Sequence, residues 1–282
     1  MLIVDAQKPL IALGSLILGG LLMAAAPVPP TPDGEITAKY KISFINIDMA
    51  RANLAAKLEH GLYTVRVGYK TTGIVKLFAT ASGDVVASGS LESGKPAPSA
   101  FVQTARENSK DSKVNLAISD GAITSVEATP PLSPDPNRVP VGDAAKKNVI
   151  DPLSALLMPI AKPKEPGKDA LAASCDRTIP IFDGWSRYDI KLSLKEVKTV
   201  DKAGFKGQAV ICSVRWVPVA GHIPDRKGTK FMAENKDIDV MLAPAGTSGF
   251  LIPLHIGVQT LRGHIDVDAT EFSAKIVMPP AE

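Results

Sequence analysis

Aromatic side chains and charge of one sign are both scarce in this 282-residue chain. Only 5% of the residues are Phe, Trp or Tyr, so aliphatic side chains must supply most of the core. The formal net charge is only +3, and the sequence has no basic run and no stripe of interleaved basic and aromatic residues. Because nucleic-acid binding needs such a positive surface, these absences argue against a nucleic-acid partner.

Metal ligands and catalytic motifs are equally scarce. The four histidines, His60, His222, His255 and His264, show none of the close spacings of zinc sites, so the sequence predicts no metal site and no cofactor. His255 and His264 are expected to meet across the last hairpin as a surface pair. No Gly-x-Ser-x-Gly motif or Ser/His/Asp spacing identifies a nucleophile, and we predict no catalytic residues and no enzymatic activity.

One stretch resembles a phosphate-binding loop. Residues 89–95 have the Gly-x-x-x-x-Gly-Lys spacing, but Pro96 stands where a Ser or Thr hydroxyl would hold Mg²⁺. The residues that follow also cannot open the helix whose N-terminus would receive the phosphate. A hairpin turn is therefore predicted here.

The N-terminus carries an export signal. Residues 9–26 contain no charged side chain, and Ala24-x-Ala26 is the small-residue pattern that signal peptidase recognises. We predict that residues 1–26 are a cleaved signal peptide, with a mature N-terminus near Pro27. The alternative is an uncleaved anchor that contacts the inner membrane through residues 10–26, since this run is barely long enough to span a bilayer. Residues 27–34 are a proline-rich spacer.

The remainder, residues 35–282, is predicted as a single β-rich domain of the periplasm. Short alternating segments with Gly, Asp and Ser turns and no long helical pattern favour one antiparallel sheet. Residues 52–58 and 62–69 form a hairpin across Glu59-His60-Gly61, and residues 73–79 fit either a strand or a short helix. The other predicted strands are residues 36–47, 85–91, 101–106, 113–119, 123–127, 188–195, 209–216, 229–233, 238–242, 249–258 and 260–271.

A helical insertion at about 149–160 interrupts this pattern between two proline-rich connectors. Asp151 is the predicted N-cap and Pro152 the first helical residue. The candidate ligand-binding residues are the apolar side chains of this helix: Leu153, Leu156, Leu157 and Met158. Such a helix is either a mobile lid over the concave face of the sheet or a fixed plug inside it.

The two cysteines bracket the part of the chain that carries both tryptophans. Cys175 lies before the strand of residues 188–195, and Cys212 lies within the returning strand on its apolar side. A buried free thiol is the alternative for Cys212. Because exported proteins meet an oxidising compartment, we predict a Cys175–Cys212 disulfide.

Charged residues surround the start of this stretch. They could form a recognition loop. The alternative is an ion pair that fixes the turn into the strand, made by Arg177 or Arg187 with Asp183 or Asp189.

Several motifs together resemble a family of uncharacterised alphaproteobacterial envelope proteins, known only as a domain of unknown function. They are residues 151–157, residues 175–184 with Arg187-Tyr188-Asp189, Cys212, Ala220-Gly221-His222-x-Pro224 and Ala243-Pro244. Trp185 departs from the Arg or Lys expected at its position. The resemblance implies a curved, unclosed antiparallel β half-barrel similar in outline to the periplasmic lipoprotein carriers and to envelope-integrity proteins. It brings no catalytic residues.

Three functions are compatible with these features. The first is a non-enzymatic periplasmic protein whose half-barrel shields an apolar ligand, such as a lipid, an acyl chain or a hydrophobic peptide. The second is an envelope integrity or assembly factor that works by protein–protein contact without a ligand. The third is a hydrolase or isomerase whose site leaves no sequence motif.

Overall fold

The computed structural model describes residues 31–77, 79–163 and 169–278. Fourteen strands lie in one sheet: β1 Asp33–Phe44, β2 Ile47–Glu59, β3 Leu62–Thr71, β4 Ala81–Glu92, β5 Lys95–Glu107, β6 Lys110–Ser119, β7 Ala122–Thr129, β8 Met158–Pro159, β9 Arg177–Phe182, β10 Arg187–Lys202, β11 Phe205–Ala220, β12 Ile238–Pro244, β13 Phe250–Thr260 and β14 Gly263–Val277. The helices are α1 Ala170–Ser174, α2 Lys227–Glu234 and the 3-10 turns Gly73–Leu77, Asp143–Lys146 and Ser154–Leu156. The predicted signal segment, residues 1–26, lies outside the described residues.

The strand order explains how one chain builds so wide a sheet. Neighbours run β7-β6-β5-β4-β3-β2-β1-β14-β13-β12-β11-β10-β9, and β8 pairs separately with β13. Every strand pair in this order is antiparallel, and all but β1 with β14 are sequential neighbours. The first and last strands therefore meet in the middle of the sheet, where Asp33 pairs with Val277 and Phe44 with Ile265. No helix in the described part of the chain is long and apolar enough to cross a membrane.

The sheet curves without closing, because its edge strands β7 and β9 do not pair with each other in the described structure. A short stretch of chain bridges the gap instead. The Val149 N–H donates to the Gly121 carbonyl at the β6–β7 turn, and Ile150 exchanges two backbone hydrogen bonds of 2.8 and 3.0 Å with β9. The Trp185 indole N–H donates to the Pro130 carbonyl across the same gap. We call this junction the seam.

Two apolar clusters hold the fold. The main core fills the curved interior and includes Ile36, Leu54, Tyr63, Val65, Phe101, Val114, Phe182, Phe250, Ile252 and Leu254. The disulfide core lies behind β11–β13 and contains Cys175, Leu192, Val210, Cys212, Val214, Ile238, Leu242 and Leu251. Because successive side chains of a strand point to opposite faces, β13 serves both: Phe250 enters the main core and Leu251 the disulfide core.

The predicted fold class, a mainly β unclosed antiparallel half-barrel, is confirmed, and so is the hairpin across His60 and Gly61. These two turn residues have φ of 51° and 76°, as a two-residue primed turn requires. The strand predicted at residues 229–233 is wrong, because α2 occupies this stretch. Five residues cannot distinguish a two-residue from a 3.6-residue period. Arg215 donates to the Ala233 carbonyl and stabilises the C-terminal end of α2.

The predicted disulfide is present. Cys175 and Cys212 are bonded, with their Cα atoms 5.4 Å apart. Cys175 ends α1 and Cys212 lies in the middle of β11, so the bond attaches the connector after β8 to the sheet. Both residues are fully buried.

Candidate functional site

The helix predicted at about 149–160 is present only as the 3-10 turn Ser154–Leu156, and Met158 already belongs to β8. We call residues 151–158 the apolar segment. Leu153 and Leu157 are buried in the main core, with Leu156 half-buried beside them. Met158 points the other way, into the disulfide core. The segment therefore passes between the two cores, and β8 fixes its end through the pairs Phe250–Pro159 and Leu251–Met158.

Polar contacts fix the start of the apolar segment. Asp151 performs the predicted capping, since its Oδ1 accepts from the backbone N–H groups of Leu153 at 3.0 Å and Ser154 at 2.8 Å. The Ser154 hydroxyl in turn shares a 2.7 Å hydrogen bond with the Tyr63 hydroxyl of β3. Asp151 is fully buried and its Oδ2 has no partner among the described residues. Burial raises the pKa of Asp151 and outweighs the hydrogen bonds from Ser154 and Leu153, which lower it.

This buried carboxyl predicts a particular dependence of stability on pH. The pKa of Asp151 is higher in the folded protein than the 3.8 of a free side chain. Its protonated form therefore contributes fully below about pH 3.8, and the contribution is lost as pH rises through the folded pKa. Asn keeps the accepting oxygen without the charge. We expect the stability advantage of Asp151→Asn over the wild type to grow with pH in this window.

Chemical denaturation at a series of pH values measures the difference between the two proteins. Asp151→Ala is the matched comparison, because it also lacks the carboxyl but removes the cap as well. It should be less stable than Asp151→Asn by about 0.5–2 kcal/mol at every pH. A difference between Asp151→Asn and the wild type that does not change with pH would contradict this assignment.

An open groove of ≈ 1060 Å³ runs along the seam. We call it the seam groove. Its walls are β9, the bridging residues, β8 with the chain that follows it, and the turns β4–β5 and β12–β13. Its apolar lining residues include Leu91, Pro96, Val149, Ile150, Pro159, Ile160, Ile179, Pro180, Phe250 and Met278. None of the four predicted ligand-binding residues lies in this lining, so the apolar segment supports the groove from the core rather than facing it.

Part of the groove wall is the outer edge of β9, which pairs with no other strand among the described residues. Pro180 and Phe182 of β9 direct their backbone groups away from β10, because both hydrogen-bond Ile150. Alternate residues of an antiparallel strand point the same way, so the N–H and C=O of Thr178 also face the groove. The Thr178 side chain is exposed.

The described rim of the seam groove is mainly cationic. Lys95, Lys162 and Arg177 line it, with Asp176 as the one carboxylate among the described lining residues. Arg177 is half-buried in the wall, and burial lowers the pKa of its guanidinium. An apolar groove with such a rim can hold a molecule with an apolar body and an anionic head.

The charged residues after Cys175 and the phosphate-loop lookalike have structural roles. Arg187 forms the expected ion pair with Asp189, while Asp183 accepts hydrogen bonds from the backbone N–H groups of Trp185 and Ser186. The phosphate-loop lookalike is the hairpin between β4 and β5, paired up to Glu92 and Lys95. Of the histidines, His255 and His264 do come together, on β13 and β14.

Comparison with known proteins gives a family and a fold. A profile of the family described as "Protein of unknown function (DUF3108)" matches residues 37–270. Comparison with the curated proteins finds no match. The chain is similar to the crystal structure of a beta-barrel-like protein of domain of unknown function DUF1849 from Brucella abortus, with a TM-score of 0.53 and 10% identity over 88% of this chain and 100% of that chain. At this identity the similarity shows the fold alone.

Proposed function

We propose that this chain, which belongs to the DUF3108 family of proteins of unknown function, is a non-enzymatic binding protein of the periplasm that shields the acyl chain of an anionic lipid. The observation that carries the proposal is the seam groove, which combines an apolar wall with the cationic rim of Lys95, Lys162 and Arg177. Its volume of ≈ 1060 Å³ lies just above the roughly 300–1,000 Å³ of typical small-molecule sites. The predicted export signal and the resemblance to envelope proteins support the proposed location.

The position of the apolar segment bears on where the ligand lies. A ligand beneath the segment would displace Leu157, which is only 1% exposed, and would break the pairing of β8 with β13. A ligand in the seam groove would leave both Leu157 and the pairing of β8 with β13 in place. We therefore propose that Leu153, Leu156, Leu157 and Met158 act as a fixed plug that completes the core, and that the ligand lies outside it.

Oleate binding tests the proposal. Full-length protein secreted to the periplasm, purified and delipidated, should bind one oleate per chain, measured by displacement of anilinonaphthalene sulfonate. Ile179→Asp places a charge in the apolar wall and should weaken oleate binding by about tenfold or more, because burying an unpaired charge is unfavourable. Ile47→Asp, at a residue that is 54% exposed and absent from the groove lining, is the control.

The proposal would be overturned if Ile179→Asp and Ile47→Asp lost oleate affinity equally, or if the wild type bound no oleate. Weaker binding of oleyl alcohol than of oleate would support the role of the cationic rim. Turnover of a generic ester panel would favour a hydrolase instead.

A second candidate function is that of an envelope integrity or assembly factor acting by protein–protein contact. It is favoured by large apolar side chains on adjoining turns: Ile45, Ile47 and Leu261 are 54%, 54% and 57% exposed. The turns adjoin because Ile45 contacts Gly263, two residues beyond Leu261. A protein that co-purifies stoichiometrically, in place of a lipid, would favour this function.

A further inference from the structure

Histidine and aspartate side chains from three strands converge on one face of the sheet, away from the seam groove. Asp239 of β12, Gly257 of β13 and Asp266 of β14 are cross-strand neighbours in one row. His255 and His264 come from the rows on either side, because His255 pairs with Asp268 and His264 with Gln259. Residues two apart on a strand share a face, so all these side chains lie on the same side.

The glycine in the centre leaves room between them. A Cβ atom at Gly257 would lie 3.1 Å from Asp239 Oδ1 and 3.2 Å from the Nε2 atoms of both His255 and His264. Asp266 Oδ1 lies 3.3 Å from His264 Nε2 and 3.9 Å from His255 Nε2. Asp239 Oδ1 is also 3.9 Å from His255 Nε2. Ligand atoms of a tetrahedral zinc ion with bonds of about 2.0–2.2 Å are separated by roughly 3.3–3.6 Å, so these three separations lie within about 0.3 Å of that range. Among the described residues only His255, Asp266 and Asp268 have ligand atoms that all lie within 4.8 Å of one another, so the side chains of Asp239 and His264 must rotate towards the ion to complete the set.

Two other polar atoms of these side chains are already engaged. His255 Nδ1 lies 3.0 Å from Asp268 Oδ1, which leaves Nε2 to face the space above Gly257. Lys195 occupies Asp239 Oδ2 at 2.9 Å, which leaves Oδ1. A carboxylate behind a histidine is the usual support for a metal-bound imidazole.

Two contacts place Asp268 for this supporting role: its Oδ1 lies 3.0 Å from His255 Nδ1 and also accepts a hydrogen bond from the Lys202 ammonium. One ligand atom each from His255, Asp266 and Asp268 also lie within 4.8 Å of one another. Because Asp268 already contacts His255 Nδ1 and Lys202, we assign it to positioning the imidazole rather than to direct coordination.

We propose that Asp239, His255, His264 and Asp266 form a binding site for a divalent transition-metal ion of the zinc class. Two imidazole nitrogens and two carboxylate oxygens are a ligand set that suits Zn²⁺, whereas Mg²⁺ and Ca²⁺ prefer oxygen alone. The four side chains are between 23% and 37% exposed, so an ion can enter from solvent. A bound ion would connect β12, β13 and β14 through their side chains.

Zinc titration of the full-length protein tests the site. After EDTA treatment and buffer exchange, isothermal titration with ZnCl₂ should give one ion per chain. His255→Gln and His264→Gln should each weaken binding by about a hundredfold or more, and Asp268→Asn by about 10–100-fold. His60→Asn is the control, because His60 lies alone on a turn with φ of 51°, a conformation that Asn tolerates.

Gly257→Ala is the most specific variant. It keeps every ligand and places a methyl group where the ion would bind, so it should weaken zinc binding by about tenfold or more while the EDTA-treated protein keeps its circular dichroism and melting temperature. A wild type that binds no zinc stoichiometrically would overturn the site. So would Gly257→Ala and both histidine variants binding zinc as tightly as the wild type, or His60→Asn losing as much affinity as they do.

Discussion

Cys212→Ala should lower the free energy of unfolding by about 2–5 kcal/mol, as loss of a native disulfide does in small secreted domains. The bond to Cys175 spans 37 residues, so its removal enlarges the unfolded ensemble considerably. It also leaves an unpartnered Cys175 thiol in the disulfide core, where the half-cystines are fully buried. Since the bond holds the end of α1 against β11, we expect the connector after β8 to loosen first.

Urea unfolding with and without reductant measures this effect. Ser213→Ala changes the next residue of β11 without touching the bond, and surface-type changes of this kind stay within about 0.5 kcal/mol. The wild type should lose stability on reduction by as much as Cys212→Ala does. Two alkylatable thiols in protein purified from the periplasm, or a midpoint that reductant leaves in place, would contradict a structural role for the bond.

The second large effect is expected in the apolar segment. Leu157→Ala should cost about 2–5 kcal/mol, because Leu157 is 1% exposed in the main core and its truncation leaves a cavity. Leu156→Ser combined with Leu157→Ser should cost more, since it also places a hydroxyl against apolar neighbours. Unfolding should remain cooperative, with its midpoint at much lower urea.

Leu261→Ala is the matched control, since Leu261 is 57% exposed and its truncation should change stability by less than about 0.5 kcal/mol. The same experiment distinguishes a plug from a lid. A double serine variant that keeps the wild-type midpoint but binds more apolar dye would show that the segment opens over a cavity, contrary to the packing of Leu157.

The sequence is most informative where one face of a strand is buried and the other is solvated. In β1, Ile36, Ala38 and Tyr40 are buried while Lys39 between them is exposed, and this alternation alone predicts the strand. Tight turns can also be predicted from the sequence. Gly61, for example, supplies the positive φ that the β2–β3 hairpin needs. The disulfide was predicted from the expected export of the chain and from its cysteine count of two.

Other features depend on distant partners that local patterns do not record. β9 contains Pro180, which is tolerated at a sheet edge, and its place in the sheet depends on β10 and Ile150. The leucines of the apolar segment have helical spacing and predict a helix. Met158 instead belongs to the short strand β8, because it pairs with Leu251 of β13. The histidine–aspartate cluster has no sequence signature because its members come from three strands and meet only through the register around Gly257.

The central pairing of β1 with β14 has a consequence for biosynthesis. β1 pairs on one side with β2, which follows it directly in the chain, but on the other side with β14, the last strand of the chain. At about 5–20 residues per second, synthesis of β14 is completed roughly 10–50 s after that of β1. A twelve-residue edge is open to wrong partners during this time. Lys39 and Lys41 lie along it, and lysines are the residues that natural sheets use to discourage edge-to-edge aggregation. These two lysines therefore reduce wrong strand pairing at the free edge of β1 before β14 is available.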